Sequence, residues 1–289
     1  MTEQKKKPPS LPWTIRPTTK RDRSLVASLL SHAPQRHLHL DWYTTYDFLD
    51  ERPSLIAFDD QRDVALLACP PDPAGIGWIR HFAVSEGIPT ATLWELLWKQ
   101  ALSIAPSVGI TTVSALVTQS WFIPLLQGEG FTQTTEVIFL EWKGKEFQID
   151  LPQDATLRTM TSEDLDAVSN VDKQAFQPLW QHSIRALDAA FELSAFATVV
   201  EVDEKVVAYQ MSTSSALGAH LARLAVEPKM QSRGIAKALV AHALRHFQRR
   251  GIERMSVNTQ ADNTRSQFLY GKLGFKPTGQ HFPVLTYTL

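Results

Sequence analysis

The chain has 289 residues, a length that usually holds about two domains. Its 44% hydrophobic and 20% charged content excludes disorder over most of that length. With 29 basic against 30 acidic residues, it offers no chain-wide positive field for a nucleic acid. Cys69 is the only cysteine, so an intrachain disulfide and a cysteine-based zinc site are both excluded. Residues 1–12 carry Lys5, Lys6 and Lys7, then Pro8 and Pro9, and no apolar run follows. This predicts a disordered tail rather than a signal peptide. No stretch approaches the roughly 18 apolar residues of a membrane span, so a cytoplasmic protein without membrane partners is expected.

Read along the chain, strand-like alternation at 14–16 returns at 156–158, an offset of 142 residues. Phe82, Ala83 and Val84 match Leu224, Ala225 and Val226 at the same offset, and Gly130-Phe131 matches Gly274-Phe275 at 144. One common offset predicts a tandem duplication, 13–145 and 153–289, with the boundary in 143–152 where Gly144 and Pro152 punctuate. Seven of the eight tryptophans precede residue 150 and only Trp180 follows it. Most stand at apolar positions, which reads as core filling. Trp121 has two further roles open to it, packing on the second half or lining a channel. Cys69, next to Pro70 and Pro71, reads as a buried inert thiol.

The second half is the more legible. A strand is predicted over 155–160. Thr161 and Asp164 form a variant capping box opening a helix to about 175, and a second helix spans 182–193. Residues 196–202 and 206–213 form a hairpin across the turn at Asp203-Glu204, and 219–226 is the next strand. An amphipathic helix covers 232–250 and stops at Gly251, behind Arg249 and Arg250. A strand at 255–259, a helix at 264–273 and two strands around Pro283 complete the order β-α-α-β-β-β-α-β-α-β-β.

Between the strand 219–226 and the long helix lies a loop of Gln231, Ser232, Arg233, Gly234, Ile235, Ala236 and Lys237. A strand that runs through a glycine-bearing loop into a helix N-terminus makes an anion site, because the first helical N–H groups lack acceptors. Lys229, Arg233 and Lys237 stand at this end, where a cation opposes the helix dipole and a bound dianion reverses the penalty. Taken alone, the loop is equally an ordinary turn with solvated lysines.

The loop is followed by Asn263, Ser266, Leu269, Tyr270, Gly274 and Phe275. Together these segments resemble two motifs of the GNAT N-acetyltransferase superfamily: Gln/Arg-x-x-Gly-x-Gly/Ala, and Asn-x-x-Ala-x-x-Leu-Tyr-x-x-x-Gly-Phe with Ser266 for Ala. The resemblance covers 155–289 and implies an α/β (α+β) fold, a mixed and mostly antiparallel sheet flanked by helices, in two tandem copies. It implies acetyl-CoA as co-substrate. Backbone groups of Leu224, Ala225 and Val226 would meet the pantetheine amides, and N–H groups of the Gln231-to-Lys237 loop the pyrophosphate. Asn263 would bond the cofactor arm. Tyr270 would protonate the leaving thiolate; by position alone it is an amphipathic residue at a helix–sheet boundary. A phenol, with a reference pKa of about 10, carries its proton at neutral pH.

An amine of pKa near 10.4 is neutral in less than about one part in 10³ at pH 7, so something must accept its proton. His220 stands where one branch of the family has a Glu base, and imidazole can do that work. Asn258 stands where another branch has Glu and cannot. A structural histidine, a substrate contact, or Glu201 as base remain open beside it. His242 and His246 lie one helical turn apart without the carboxylate of a zinc site, so no metal is expected.

In the first half the offset places 89–94 against the cofactor loop, without Gln-x-x-Gly and with Glu86 nearby, and Leu126 against Tyr270. That half resembles the degenerate copy of tandem GNAT enzymes such as mycothiol synthase. The expected activity is acetyl transfer to a primary amine of a small molecule or peptide, with a non-enzymatic acyl-CoA-binding regulatory or scaffold protein as the alternative. Residues 177–193 and 279–287, with Trp180, His182, Arg185, Asp188, Glu192, His281 and Tyr287, are expected to shape the acceptor site. Acceptor identity and oligomeric state are not legible.

Overall fold

A computed structural model describes residues 13–59, 63–144 and 151–289. The tail predicted over 1–12 and most of the boundary predicted over 143–152 lie outside these residues. The first half runs β1 (Thr14–Pro17), α1 (Arg23–His32), β2 (Gln35–Leu38), β3 (Ser54–Phe58), β4 (Asp63–Ala68), β5 (Ile76–Trp78), β6 (His81–Val84), α2 (Thr90–Ile104), β7 (Thr112–Leu116), α3 (Phe122–Gly128) and β8 (Thr132–Lys143). The second runs β9 (Ala155–Thr159), α4 (Leu165–Ala175), α5 (Ile184–Glu192), β10 (Phe196–Val202), β11 (Lys205–Ser215), β12 (Gly218–Val226), α6 (Ile235–Gln248), β13 (Arg254–Gln260), α7 (Thr264–Lys272) and β14 (Lys276–Thr288).

Local chemistry explains the elements. The β10–β11 turn places Asp203 and Glu204 at φ 49° and 61°, the left-handed pair that matches strand twist in a two-residue hairpin. Thr161 and Asp164 cap each other, and Arg158 grips the same carboxylate with two bonds of 2.7 Å. The same joint occurs 142 residues earlier, where Arg16 binds Asp22 at 2.8 and 2.7 Å below Thr19. In both joints the guanidinium holds the Asp carboxyl below its usual range, Asp22 at about 2. Strands β3 and β4 are apolar on consecutive residues because both faces are covered. Leu55, Leu67 and Phe82 face Trp94 and Trp98 of α2, and Ile56, Leu66 and Ala83 face Val26 and Leu30 of α1. In the second half, α4 and α5 cover one face through Val168 and Leu187, and α6 covers the other through Leu239 and Leu244.

The strands form a five-stranded sheet, β1-β3-β4-β6-β2, and a nine-stranded sheet, β5-β7-β14-β8-β13-β12-β11-β10-β9. The five-stranded sheet is antiparallel and the nine-stranded sheet is mixed, with parallel pairs at β5–β7 and β12–β13 among the described residues. The last strands of the two halves are exchanged. β8 lies between β13 and β14, and β14 lies between β8 and β7.

The exchange corrects the expectation of two strands around Pro283. β14 is one strand with register slips at Pro277/His281 and Val284/Leu285. Its pairing toward β7 begins at Pro283, whose carbonyl accepts from Val117 N–H at 2.9 Å, so the missing N–H of Pro283 falls at the end of that ladder. Within 279–287, Val284 packs in one cluster with Trp78, Val137 and Trp180, while its flanking residues turn elsewhere. Tyr287 packs on Trp98 and Phe131 in the first-half core, and His281 pairs with Glu136 at 3.3 Å. Trp121 stays with its own half, against Phe82 and Phe122. Cys69 is buried, which pushes its thiol up to about 12.

Leu285, although fourth from the end of β14, is wholly buried in the first-half core. Leu285→Ala is therefore expected to cost about 2–5 kcal/mol in urea unfolding, with loss of near-UV tryptophan signal in the same transition. A cost under about 1 kcal/mol would show that β14 does not hold the first half together.

Candidate active site

β12 is paired on both edges only at its start. Ala219, His220 and Leu221 run parallel to Met255, Ser256 and Val257 of β13, while the other edge follows β11 throughout. The β11 register slips between Met211 and Ser212, leaving Ala222 as a bulged residue that bends the strand. β13 continues instead along β8 through Asn258, Thr259 and Gln260. A wedge opens between the two strands, and among the described residues no strand pairs the β13-facing edge of Leu224, Ala225 and Val226.

The wedge ends at the loop before α6. Ser232 and Gly234 are left-handed, φ 64° and 87°, so α6 starts at Ile235 and not at the predicted Ser232. The first helical return bond runs from Ala238 N–H to Gly234 O at 3.0 Å, which leaves the preceding N–H groups at the positive helix end without helical acceptors. Gln231 anchors the loop by donating to Val226 O at 3.0 Å and accepting from Arg265. Arg233 turns away to Asp154, at 2.7 and 2.8 Å, so the basic cluster is partly committed to a surface pair.

At the strand's midpoint lies a cavity of about 340 Å³. Tyr270, His220, Leu224 and Asn263 all line it, as does Asn258. Burial pushes the Tyr270 phenol above its ordinary pKa, so it is protonated at neutral pH. Burial lowers His220 against the opposing effect of its hydrogen bonds, which keeps the ring neutral. His220 Nδ1 lies 2.9 Å from Ser256 Oγ. Asn263 caps α7, its Oδ1 accepting from Ser266 N–H at 3.1 Å, which leaves Nδ2 near Gln260. Glu201 is tied to Arg158 at 2.6 and 3.0 Å, away from the cavity lining.

The cavity's other residues escape a reading confined to the second half. His39, Asp41, Asp72, Trp78 and Arg80 come from the first half. Trp78 meets Trp180 across the cavity with centroids 5.6 Å apart. Asp41 accepts from Arg80 at 2.6 Å and pairs with His39 at 3.0 Å. Burial alone would raise the Asp41 carboxyl, but His39 and Arg80 hold it well below the usual range. Behind the opposite wall, Asp172 takes Arg223 at 2.6 and 2.8 Å and Tyr209 Oη at 2.5 Å. It also accepts from His182 N–H at 2.9 Å, while Arg223 reaches Trp180 O at 2.7 Å. One ion pair thus holds the segment carrying Trp180 and His182 on the sheet. The sequence carried a signal for it: Asp172 follows Val168 at helical spacing on the buried face of α4. Of the expected acceptor residues, Trp180 and His182 line the cavity, while Arg185 pairs with Glu51 at the surface.

The first half repeats the wedge in another form. β5 pairs in parallel with β7 as β12 does with β13, and the chain then breaks before β6. β2 occupies the open edge of β6, with Gln35, Arg36, His37 and Leu38 opposite Val84, Ala83, Phe82 and His81. The segment 142 residues later is a short 3₁₀ turn, Pro178–Trp180, and leaves its wedge open.

Residues 165–275 match the acetyltransferase (GNAT) family. The mycothiol acetyltransferase of Saccharomonospora viridis is 28% identical over 146 residues, 44% of this chain and 47% of the relative. That of Beutenbergia cavernae is 36% identical over 58 residues, 20% of each chain. These matches thus span half or less of the curated relatives. A tandem GNAT protein from the clavulanic acid biosynthesis pathway superposes with a TM-score of 0.63 at 15% identity, over 96% of this chain and 98% of that one. The fold is that of GNAT acetyltransferases. No helix among the described residues is long and apolar enough to cross a membrane.

Three histidines are held neutral by their surroundings, His37 and His81 buried in the first half and His182 half-buried in the cavity lining. Burial lowers His182 to about 4, helped by Arg223, and His37 and His81 to about 3. The unfolded chain takes up these protons near pH 6.5, whereas the folded chain refuses them until about pH 4 to 3. Stability is therefore complete above about pH 6.5 and falls as pH drops below it, by up to about 1.4 kcal/mol per pH unit for each group. Thermal midpoints between pH 7.5 and 4.5 should decline, and His81→Leu should lessen the slope. A flat profile would contradict the neutral, buried state.

Proposed function

We propose that the chain is an N-acetyltransferase whose acyl-CoA site is the wedge of the second half, and that its acceptor is an amine of a small molecule or peptide. We further propose that 13–145 and 153–289 are copies of one unit, the first with its wedge closed. The observation that carries this reading is the open β12 edge running from the cavity to the left-handed loop at Gly234. Support for the two copies comes from the matched Arg-Asp joints and the matched parallel pairs.

The residues fit acetyl-CoA. A strand edge with unused donors and acceptors suits the amides of an extended pantetheine arm. N–H groups at the start of α6, with the loop from Gln231 to Lys237, suit a diphosphate. When bound, acetyl-CoA supplies the acyl thioester. Leu224, Ala225 and Val226 hold the arm through their backbones, and Asn263 offers Nδ2 toward it. Tyr270 keeps its proton on Oη and is poised to release it to a leaving thiolate. The His220 tautomer that donates from Nδ1 to Ser256 presents a lone pair on Nε2, the acceptor for the amine's proton. The cavity of about 340 Å³ lies at the lower end of the range for small-molecule sites, which favours a small acceptor.

Two measurements test this. Calorimetry with acetyl-CoA should give one site per chain, and Gly234→Val should abolish it, because a β-branched residue is strained at φ 87°. Two sites, or retained binding in the variant, would refute the assignment. Tyr270→Phe should lower turnover about 10²-fold in a thiol-release assay with acetyl-CoA affinity unchanged. Unchanged turnover removes Tyr270 from the chemistry, and an absence of turnover in the wild type with intact binding would favour a non-enzymatic acyl-CoA-binding protein.

A further inference from the structure

Asp41 is an unusual residue to find in the wall of the cavity. It belongs to the first half, which on the proposed reading binds no acyl-CoA. It follows directly on β2, the strand that fills the first-half wedge, so pairing with β6 fixes the position of the segment His39 to Trp42. Its backbone is left-handed, φ 50°, a conformation that costs a non-glycine residue stability and that here turns the carboxylate into the cavity wall.

The carboxylate is only partly satisfied. Oδ1 meets His39 and Oδ2 meets Arg80, one partner for each oxygen. An ionised carboxylate accepts about four hydrogen bonds, so two positions remain, and 27% of the side chain is still exposed. Arg80 is nearly buried, at 3% exposure, and its Nε has no partner among the described residues. Arg80 binds Asp41 through Nη1, and its Nη2 donates to the Asp72 backbone carbonyl at 3.2 Å, while the Asp72 carboxylate accepts from Tyr43 Oη. On the facing wall Arg223 is neutralised by Asp172. Two carboxylates, Asp41 and Asp72, therefore stand on the first-half side of the cavity, and the aromatic walls, Trp78 and Trp180, lower the local dielectric and strengthen the field of Asp41.

We propose that Asp41 is the anchor for the positively charged nitrogen of a small amine acceptor, so that the first half serves as the acceptor-recognition wall of the second half's active site. The proposal rests on the acetyltransferase reading above. An aliphatic primary amine reaches the protein as an ammonium, and the two free acceptor positions of Asp41 receive it before His220 takes its proton. A neutral arylamine gains nothing from this charge. An amine carrying a carboxylate meets the like charge of Asp41 and Asp72.

The test uses the full chain with acetyl-CoA and a panel of benzylamine, cadaverine and ethanolamine as cations, with aniline as a neutral amine. Thiol release should favour the cations over aniline. Asp41→Asn keeps a hydrogen-bond acceptor for Arg80 and should raise the KM of the cationic amines at least about tenfold, with kcat within about threefold and acetyl-CoA affinity unchanged. The preference over aniline should disappear in the variant. Wild-type preference for aniline, or an amine KM in the variant within about twofold of wild type, overturns the role of Asp41. So does acetyl-CoA binding by the wild type without turnover of any cation in the panel. Absence of acetyl-CoA binding in the wild type refutes the underlying reading itself, which separates the two failures. Because the cation-over-neutral preference is measured on the wild type, it decides the question even if the variant folds poorly.

Discussion

The structure depends on the exchange of its two last strands. β8 leaves the first half to complete the sheet beside β13, and β14 returns from the second half to lie beside β7. Each core is thus closed by a strand from the other half: Leu285 in the first, Leu140 and Trp142 in the second. A sheet hydrogen-bonded across the division leaves no room for the hinge that commonly separates tandem domains. The cavity has walls from both halves because this sheet fixes them face to face.

The same wedge is used in two ways. Where a bent strand parts from its neighbour, its backbone groups need new partners, since a buried N–H or C=O without one costs as much as a lost hydrogen bond. In the first half β2 supplies them, antiparallel to β6. In the second half the segment at the matching offset begins Gln177-Pro178, and Pro178 has no N–H to donate to a ladder. That segment forms a 3₁₀ turn, held aside by the Asp172–Arg223 pair, and the strand edge stays open. A difference of one residue type in the plugging segment, Arg36 against Pro178, is consistent with one wedge being closed and the other open.

The sequence was most informative where chemistry is local. The hairpin turn at Asp203-Glu204, the Thr161–Asp164 cap and the glycine-bearing loop before α6 each depend on a few adjacent residues, and their elements lie close to where periodicity placed them, α6 starting three residues late because Ser232 and Gly234 are left-handed. Tyr270, His220, Leu224 and Asn263 do meet around one cavity. Long-range pairing was illegible. Nothing in the alternation of 275–289 tells which sheet the strand will join, and Pro283 suggested a break because its missing donor matters only if both edges are paired. Asp41, Trp78 and Arg80 were missed for the same reason: they reach the cavity through the strand exchange, and no spacing within the second half points to them. The basic cluster was legible as charge, but the surface partner of Arg233, Asp154, lies some eighty residues away in sequence.

These constraints bear on why the first half is built so completely. β8 covers the β13 edge, and Leu140 and Trp142 pack with Leu244, Phe247 and Tyr270 itself. Without the first half, β13 would be an exposed edge and Tyr270 would lose part of the apolar packing that keeps its phenol protonated. The first half is therefore required by the second at the level of the sheet, independently of ligand binding. Its surface is free to specialise only where the fold does not use it, and the loop after β2 is such a place. There the backbone accepts the strain of a left-handed Asp41, and the cost is offset by the ion pairs with His39 and Arg80. A left-handed residue in a cavity wall, held by two ion pairs and facing the same cavity as the open β12 edge, is the arrangement expected when the local conformation serves recognition and not folding.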